Sequence, residues 1–400
     1  MRILHFYKTY FPDTVGGTEQ FIFQLAHGCV NRGIDVEVLS LSKTVRDDTR
    51  QVDNHRGHRI RRDAEIASTG MSLAAFGRFR SLAADADVIH LHYPWPFGDL
   101  VHLLAAVSKP TVLTYHSDII RQRWLAKLYA PLQERFLRSV DKIVATSPNY
   151  LESSDTLRRH RDRTTVIPIG LDRTTYPKPD RARLAKWRAM FPGRFFLFVG
   201  VLRYYKGLHV LLEALRGTDY LTVIVGAGPI EQPLQSHAKR LGLSNVRFLG
   251  AVSDEDKVAL LELSQSVVFP SHLRSEAFGI SLLEGAMFGK PMISSEIGTG
   301  TSFVNIHNET GLVVAPNDPD ALRQALVTMQ DNPGLAEQMG ANARLRYARY
   351  FTADRMVDSY LALYQELLFA HCGAGPGGGT PVKIARSHRA GRSAIGGGGG

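Results

Sequence analysis

Short apolar runs alternate with segments of helical periodicity along most of the chain. Residues 3–7 form a β-rich run, and Gly16-Gly17 then interrupts the chain. Phe21, Leu25, Ala26 and Cys29 recur at helical spacing, and Gly33 ends that predicted helix. Residues 36–39 are the next predicted strand. Further strand-length runs follow at 88–89, 111–115, 143–145 and 166–167, each separated by polar or helical segments. Strands that alternate with helices predict a parallel sheet joined by right-handed crossovers.

A loop-like stretch at 170–180 carries Pro177 and Pro179, and the pattern restarts after it. Strands are predicted at 195–200, 222–225, 246–249 and 267–269, with helices at 208–215, 258–263 and 280–287. Residues 333–370 read as helical throughout, with Tyr360, Leu363, Tyr364 and Leu367 on one face. The expected architecture is α/β, two Rossmann-like domains facing across a cleft, residues 1–180 and 181–350. A helix at 351–370 is expected to pack back on the first domain. Residues 371–400 contain 11 glycines and four basic residues against no acidic one, too little apolar surface to order the segment, so disorder is expected there. Ligands of open α/β sheets sit beyond the carboxyl ends of the strands, which makes the cleft the expected site.

Composition narrows the class. With 44% hydrophobic and 22% charged residues, the chain has the mix of a globular enzyme. Cys29 and Cys372 alone cannot build a disulfide framework or a zinc cluster, which favours a reducing, cytoplasmic compartment. No apolar run approaches the roughly 18 residues of a membrane-spanning helix, and Lys8 follows the short N-terminal apolar run without a cleavage signature. Charge is uneven. Residues 1–190 hold 29 Lys+Arg against 20 Asp+Glu, and residues 191–370 hold 15 against 18. The excess of the first part lies in 101–190, with 17 basic and 8 acidic residues. Such a segment suits a polyanionic surface, either membrane headgroups or nucleic acid, or is a solvated basic face. Zinc-finger spacing, an aromatic–basic sheet motif and a basic heptad helix are all missing, so an anionic membrane surface is expected and nucleic acid is not.

The sharpest chemical signal is the stretch from Pro270 to Met287. A buried strand runs into a polar loop, and a helix is predicted to begin near Phe278. Glu276 precedes that helix and Glu284 lies about two turns further on. A helix N-terminus offers unpaired N–H groups to phosphate oxygens, and flanking carboxylates can accept hydrogen bonds from sugar hydroxyls. Taken alone, Glu276 could equally cap a helix and Glu284 could sit on a solvated face. Arg203 and Lys206 fall between the first strand of the second domain and its first helix, where two cations can neutralise a diphosphate or simply be solvated. Gly226 and Gly228 close another strand on the same edge, where a backbone can approach a ligand. Gly16-Gly17 occupies the matching place in the first domain. His116 ends an apolar strand, as a packed histidine or a ligand contact.

Together, Gly16-Gly17, His116, Arg203, Lys206 and Glu276 spaced eight residues from Glu284 resemble retaining glycosyltransferase family 4, of the GT-B fold, over roughly residues 1–370. The block from Pro270 to Pro291 is the most specific part. The openings His5-Phe6-Tyr7-Lys8-Thr9-Tyr10-Phe11-Pro12-Asp13 and Tyr115-His116-Ser117-Asp118-Ile119 are similar to bacterial O-antigen mannosyl- and D-rhamnosyltransferases. The resemblance implies that Arg203 and Lys206 hold the donor diphosphate and that Glu276 contacts the donor sugar. It implies that Ala277, Phe278, Gly279 and Ile280 offer backbone amides and that Glu284 binds the ribose. The Gly16-Gly17 loop would close over the phosphates, and His116 would lie near the transferred sugar. It further implies a nucleotide-sugar donor, GDP-mannose or GDP-D-rhamnose, and an undecaprenyl-diphosphate-linked glycan acceptor at the inner face of the bacterial inner membrane. No cofactor is expected. Asp85-Ala86-Asp87 and Asp254-Glu255-Asp256 have adequate structural explanations as a strand entry and a helix first turn, so no metal site is expected at either. A sugar-nucleotide epimerase and a non-catalytic nucleotide-sugar-binding protein are the alternatives.

Overall fold

The computed structural model describes residues 1–44, 47–66, 69–119 and 123–373. An eight-stranded sheet lies in the N-terminal half. Its spatial order is Thr164–Val166, Lys142–Ala145, Thr111–Tyr115, Val88–Tyr93, Arg2–Phe6, Asp35–Ser42, His55–Arg61 and Asp47–Val52. All neighbours are parallel except the last pair, an antiparallel hairpin with Asp47 opposite Ile60. The second sheet has six parallel strands ordered Val246–Gly250, Thr222–Val225, Phe196–Val199, Ser266–Phe269, Met292–Ser295 and Gly311–Val314. Strands such as Phe196–Val199 and Ser266–Phe269 are buried at every position, because helices cover both faces of a parallel sheet.

Three sequence readings need correction. The hairpin strand Asp47–Val52 was not expected, because its sequence DDTRQV lacks apolar alternation. It is an exposed edge strand, where charged side chains discourage pairing with another chain. The helix expected over 333–370 is two helices, Pro333–Tyr350 and Ala353–Gly373. Between them Phe351 is buried and Thr352 bridges Leu171, so the chain turns to follow the connection between the sheets. The last helix also runs three residues past the expected end, to Gly373; the disorder expected beyond it falls, from residue 374, outside the described residues.

The last helix lies against the helix Gly17–Val30. A Cβ at Gly28 would stand 2.5 Å from Val357. Tyr360 and Tyr364 reach the first sheet, with hydroxyls 2.8 Å from Thr114 Oγ1 and 2.6 Å from His90 Nδ1. One apolar cluster, including Phe21, Leu25, Phe278, Leu282 and Tyr360, runs through both halves of the molecule. The walls of the cleft thus rest on a shared core.

Candidate active site

Two loops at the carboxyl edge of the second sheet build the site. The strand Phe196–Val199 leads through a short 3-10 turn, Tyr204–Lys206, to Gly207 at φ 71°. That left-handed conformation suits glycine, and a Cβ there would lie 1.9 Å from the Pro270 carbonyl oxygen. The tight approach brings Lys206 against the loop after Ser266–Phe269. Lys206 and Glu276 form a buried ion pair there. Ser271 Oγ donates to the same Glu276 oxygen at 3.3 Å, and the Lys206 ammonium sits 4.5 Å from the Phe269 ring centre. Arg203 is exposed at the rim, and its guanidinium has no hydrogen bond or ion pair among the described residues.

The helix after this loop is Ile280–Met287, the span expected for it. Gly279, at φ 90°, takes a left-handed conformation that cannot continue the helix backward. Among the described residues, the N–H groups of Ala277, Phe278, Gly279 and Ile280 have no hydrogen-bond partner. The Phe278 side chain belongs to the core, 6.2 Å from the Phe351 ring, so only its backbone faces outward chemistry. Glu284 is buried rather than solvated. Its Oε1 accepts from the Tyr176 hydroxyl at 3.1 Å and from Lys257 at 3.2 Å, while Oε2 has no protein partner among the described residues. Burial alone would lower the Lys257 ammonium, but Glu284 and Asp254 outweigh it and hold its pKa above the usual lysine range.

Gly226 and Gly228 have a packing reason to lack side chains. A Cβ at Gly226 would stand 2.0 Å from Gly200 O, and one at Gly228 would stand 2.3 Å from Leu202 O. Their missing side chains make room for the Arg203 loop, and Gly228 also lines a cavity of about 450 Å³ with Pro229, Glu231 and Gln232.

Across the cleft, Gly16-Gly17 opens the helix Gly17–Val30, and a Cβ on Gly17 would come within 3.3 Å of Ile280 Cγ1. The two walls meet at this point. Lys8 and Glu19 flank the glycines. Burial lowers the Lys8 pKa, Glu19 opposes the shift and Arg203 adds to it, which couples Lys8 to the cation on the other wall. His116 follows the strand Thr111–Tyr115 and is buried beside the Phe21 ring, with centroids 5.0 Å apart. Burial, aided by Lys8, pushes its pKa down to about 3, so the imidazole is neutral. A second link between the walls is Arg274, whose guanidinium is 3.5 Å from Asp118 and 2.9 Å from the Gly298 carbonyl.

The structure therefore gathers Arg203, Lys206, Glu276, the 277–280 amides, Glu284, Gly17 and His116 at one cleft. Sequence reasoning missed Lys8, Glu19, Lys257, Asp118 and Arg274. Lys8 and Glu19 could have been found from their nearness to Gly16-Gly17. The pairings of Lys257 and Arg274 needed the fold. The two acidic triplets are engaged structurally: Asp87 accepts from the Arg2 backbone N–H at 2.7 Å, Asp256 accepts from Trp187 Nε1 at 2.8 Å, and Asp254 pairs with Lys257 at 3.0 Å.

Residues 186–346 match the family described as Glycosyl transferases group 1, and residues 15–175 match Glycosyltransferase Family 4. D-rhamnosyltransferase WbpZ of Pseudomonas aeruginosa is 62% identical over 353 residues, 88% of this chain and 93% of that protein. The chain belongs to glycosyltransferase family 4. O-antigen chain mannosyltransferase C of Escherichia coli is 51% identical over 368 residues, 92% of this chain and 99% of that protein. Among solved structures, sucrose-phosphate synthase from Thermosynechococcus elongatus superposes with a TM-score of 0.77 at 22% identity, covering 92% of this chain and 99% of its own. That likeness shows the fold alone, and the fold is GT-B, as the sequence predicts. Family 4 membership makes the protein a glycosyltransferase and sets aside the epimerase and the non-catalytic binding protein. Among the described residues, no helix of this family 4 enzyme is long and apolar enough to cross a membrane.

Proposed function

We propose that the enzyme moves D-rhamnose or mannose from a GDP-linked donor to an undecaprenyl-diphosphate-linked glycan, as a step of lipopolysaccharide O-polysaccharide assembly. Identity of 62% to a D-rhamnosyltransferase, against 51% to an O-antigen mannosyltransferase, favours rhamnose as the transferred sugar. The observation that carries the reading is the buried Lys206–Glu276 pair beneath the exposed Arg203, opposite the Gly17–Ile280 contact.

Transfer breaks the bond between the anomeric carbon and a diphosphate oxygen, and that oxygen keeps the electron pair. Lys206, held by Glu276, and the unpaired 277–280 amides are fixed in advance where this charge develops, and need little rearrangement as the bond breaks, while Arg203, partner-free among the described residues, closes on it from the rim. Glu276 accepts hydrogen bonds from sugar hydroxyls, and the free Oε2 of Glu284 accepts from the ribose. The acceptor hydroxyl attacks from the leaving-group side and passes its proton to the departing phosphate oxygen, so configuration is retained. The cations supply the positive charge, and no metal is required. A cavity of about 280 Å³, lined by Asp118, Tyr129, Gln133, Asp155 and Arg274 among others, suits the acceptor, since its charged and polar side chains can hydrogen-bond sugar hydroxyls. The enzyme works as a peripheral protein on the cytoplasmic face of the inner membrane.

A thermal-shift screen with GDP, UDP, ADP and TDP tests the base, because a ligand of the folded state raises the melting temperature. GDP should give the largest shift. Assays with GDP-D-rhamnose and GDP-mannose, with and without EDTA, then test sugar and metal independence, and NMR of the product reads the anomeric configuration. No stabilisation by GDP, or transfer abolished by EDTA, would refute the corresponding part.

A further inference from the structure

Three histidines from two neighbouring strands stack beneath His116. His5 lies on Arg2–Phe6, and His90 and His92 lie on Val88–Tyr93. Ring centroids are 4.7 Å apart for His5 and His90, 4.5 Å for His90 and His92, and 5.4 Å for His92 and His116. Period-two alternation puts His90 and His92 on one face of the sheet, and matching positions on the adjacent strands carry His5 and His116.

The hydrogen bonds have a direction. His116 Nε2 is 3.2 Å from His92 Nδ1, and His92 Nε2 is 3.1 Å from His5 Nδ1. His5 Nε2 ends the chain, buried and without a partner among the described residues. His90 cannot serve it, because Tyr364 and Thr114 occupy both His90 nitrogens at 2.6 and 2.7 Å. Those bonds also argue against a metal between His5, His90 and His92, which would have to break them.

A neutral imidazole has one N–H and one lone pair. Burial holds His5 and His116 down at about 3, and His90 and His92 well below the usual histidine range, so all four are neutral at physiological pH. Two arrangements are then open to the relay. If His5 carried its proton on Nε2, a buried N–H would be orphaned, which folded proteins seldom tolerate. If it carries the proton on Nδ1, His5 donates to His92, His92 donates through Nδ1 to His116 Nε2, and the proton of His116 must sit on Nδ1. That nitrogen has no protein partner among the described residues and is the one left for a ligand.

We propose that His5 and His92 are positioning residues that fix His116 as the Nδ1–H tautomer, so that it donates a hydrogen bond to an oxygen of the bound sugar nucleotide. The ligand side of this statement rests on the donor reading above; the tautomer does not. Free imidazole side chains prefer Nε2–H in water, so the relay imposes the less common form.

Long-range proton–nitrogen correlation spectra of ligand-free protein, labelled with nitrogen-15 histidine near neutral pH, decide it. The spectrum of His116→Gln identifies the His116 signals by their loss. The expected result is a protonated Nδ1 and an unprotonated Nε2; the reverse overturns the proposal. In His5→Asp, whose carboxylate can only accept from His92 Nε2, the relay reverses and the His116 signals should move to the Nε2–H pattern; an unchanged Nδ1–H pattern would overturn the role of His5. If that variant does not fold, His92→Asn, whose amide N–H can stand in for Nδ1–H, should retain the Nδ1–H form, and its loss would count against the relay. No substrate is needed, so failure here is separate from failure of the donor screen.

Discussion

At the residue scale, Arg203 and Lys206 should behave differently although both are assigned to the diphosphate. Arg203 is exposed and free of partners among the described residues, so Arg203→Ala should leave the melting temperature nearly unchanged, within about 0.5 kcal/mol of stability. Its turnover should fall about a hundredfold or more, the usual loss of one fixed charge-stabilising donor. Lys206 is buried against Glu276. Lys206→Ala leaves that carboxylate unpaired in the interior, which costs about 3–5 kcal/mol, so both activity and melting temperature should drop. Equal melting temperatures for the two variants would contradict the buried pair; full activity in Arg203→Ala would remove it from the site. Much of this constellation was legible in the sequence, because Glu276 and Glu284 are local to one helix start and Arg203 and Lys206 to one loop. What was not legible is which charges neutralise each other. The Lys206–Glu276 bond spans 70 residues of sequence and the Arg274–Asp118 bond 156, and only the closed cleft brings them together.

At the element scale, the site depends on how closely its loops pack. Gly207 and Gly217 have nearly the same left-handed φ, 71° and 73°, but different surroundings. A Cβ on Gly217 meets nothing within 4 Å, whereas one on Gly207 meets the Pro270 carbonyl. Gly217→Ala should therefore cost only the left-handed strain, about 1–2 kcal/mol. Gly207→Ala should cost more and also weaken nucleotide binding, because the Pro270 loop carries Glu276. Chemical denaturation of both variants measures the difference, and equal losses would show that the loop contact is not tight. The same scale explains what the pattern of apolar residues could and could not predict. Central strands such as Phe196–Val199 are apolar on both faces and stand out, whereas Met292–Ser295, paired on both sides but half serine, does not. Nor does the edge strand Asp47–Val52, since five of its six residues are polar. The break before Ala353 is silent in the sequence because helical periodicity continues through it; burial of Phe351 and the bridge from Thr352 to Leu171 impose it.

At the scale of the whole molecule, charge and buried histidines make two predictions. The basic excess of 101–190 should draw the protein to anionic vesicles. Part of it is spent internally: Arg138 pairs with Glu134, Arg161 pairs with Glu152, and Arg163 donates to the carbonyls of Leu137, Arg138 and Val140. Arg135 and Arg159 remain exposed, and Leu128 is 71% exposed. Sedimentation with anionic liposomes should be strong at low salt and weak at high salt; binding that ignores salt would exclude headgroup attraction. The histidines set acid stability. Burial lowers His5 and His116 to about 3, His55 and His102 to about 4, and His90 and His92 well below the usual value. In the unfolded chain each regains a pKa near 6.5. Between those limits the unfolded state binds protons that the folded state refuses. The stabilisation is therefore complete above about pH 6.5 and is lost as pH falls toward the folded values, with each histidine adding up to about 1.4 kcal/mol per pH unit to the slope. His102 offers a clean test, since it is buried between the Phe79 and Phe136 rings and its Nδ1 has no partner among the described residues. His102→Leu should reduce the acid slope by one histidine's share while leaving stability above neutral pH little changed. An unchanged slope between pH 6 and 5 would mean that His102 takes up a proton in the folded protein as readily as in the unfolded one, and that its apolar surroundings do not exclude charge.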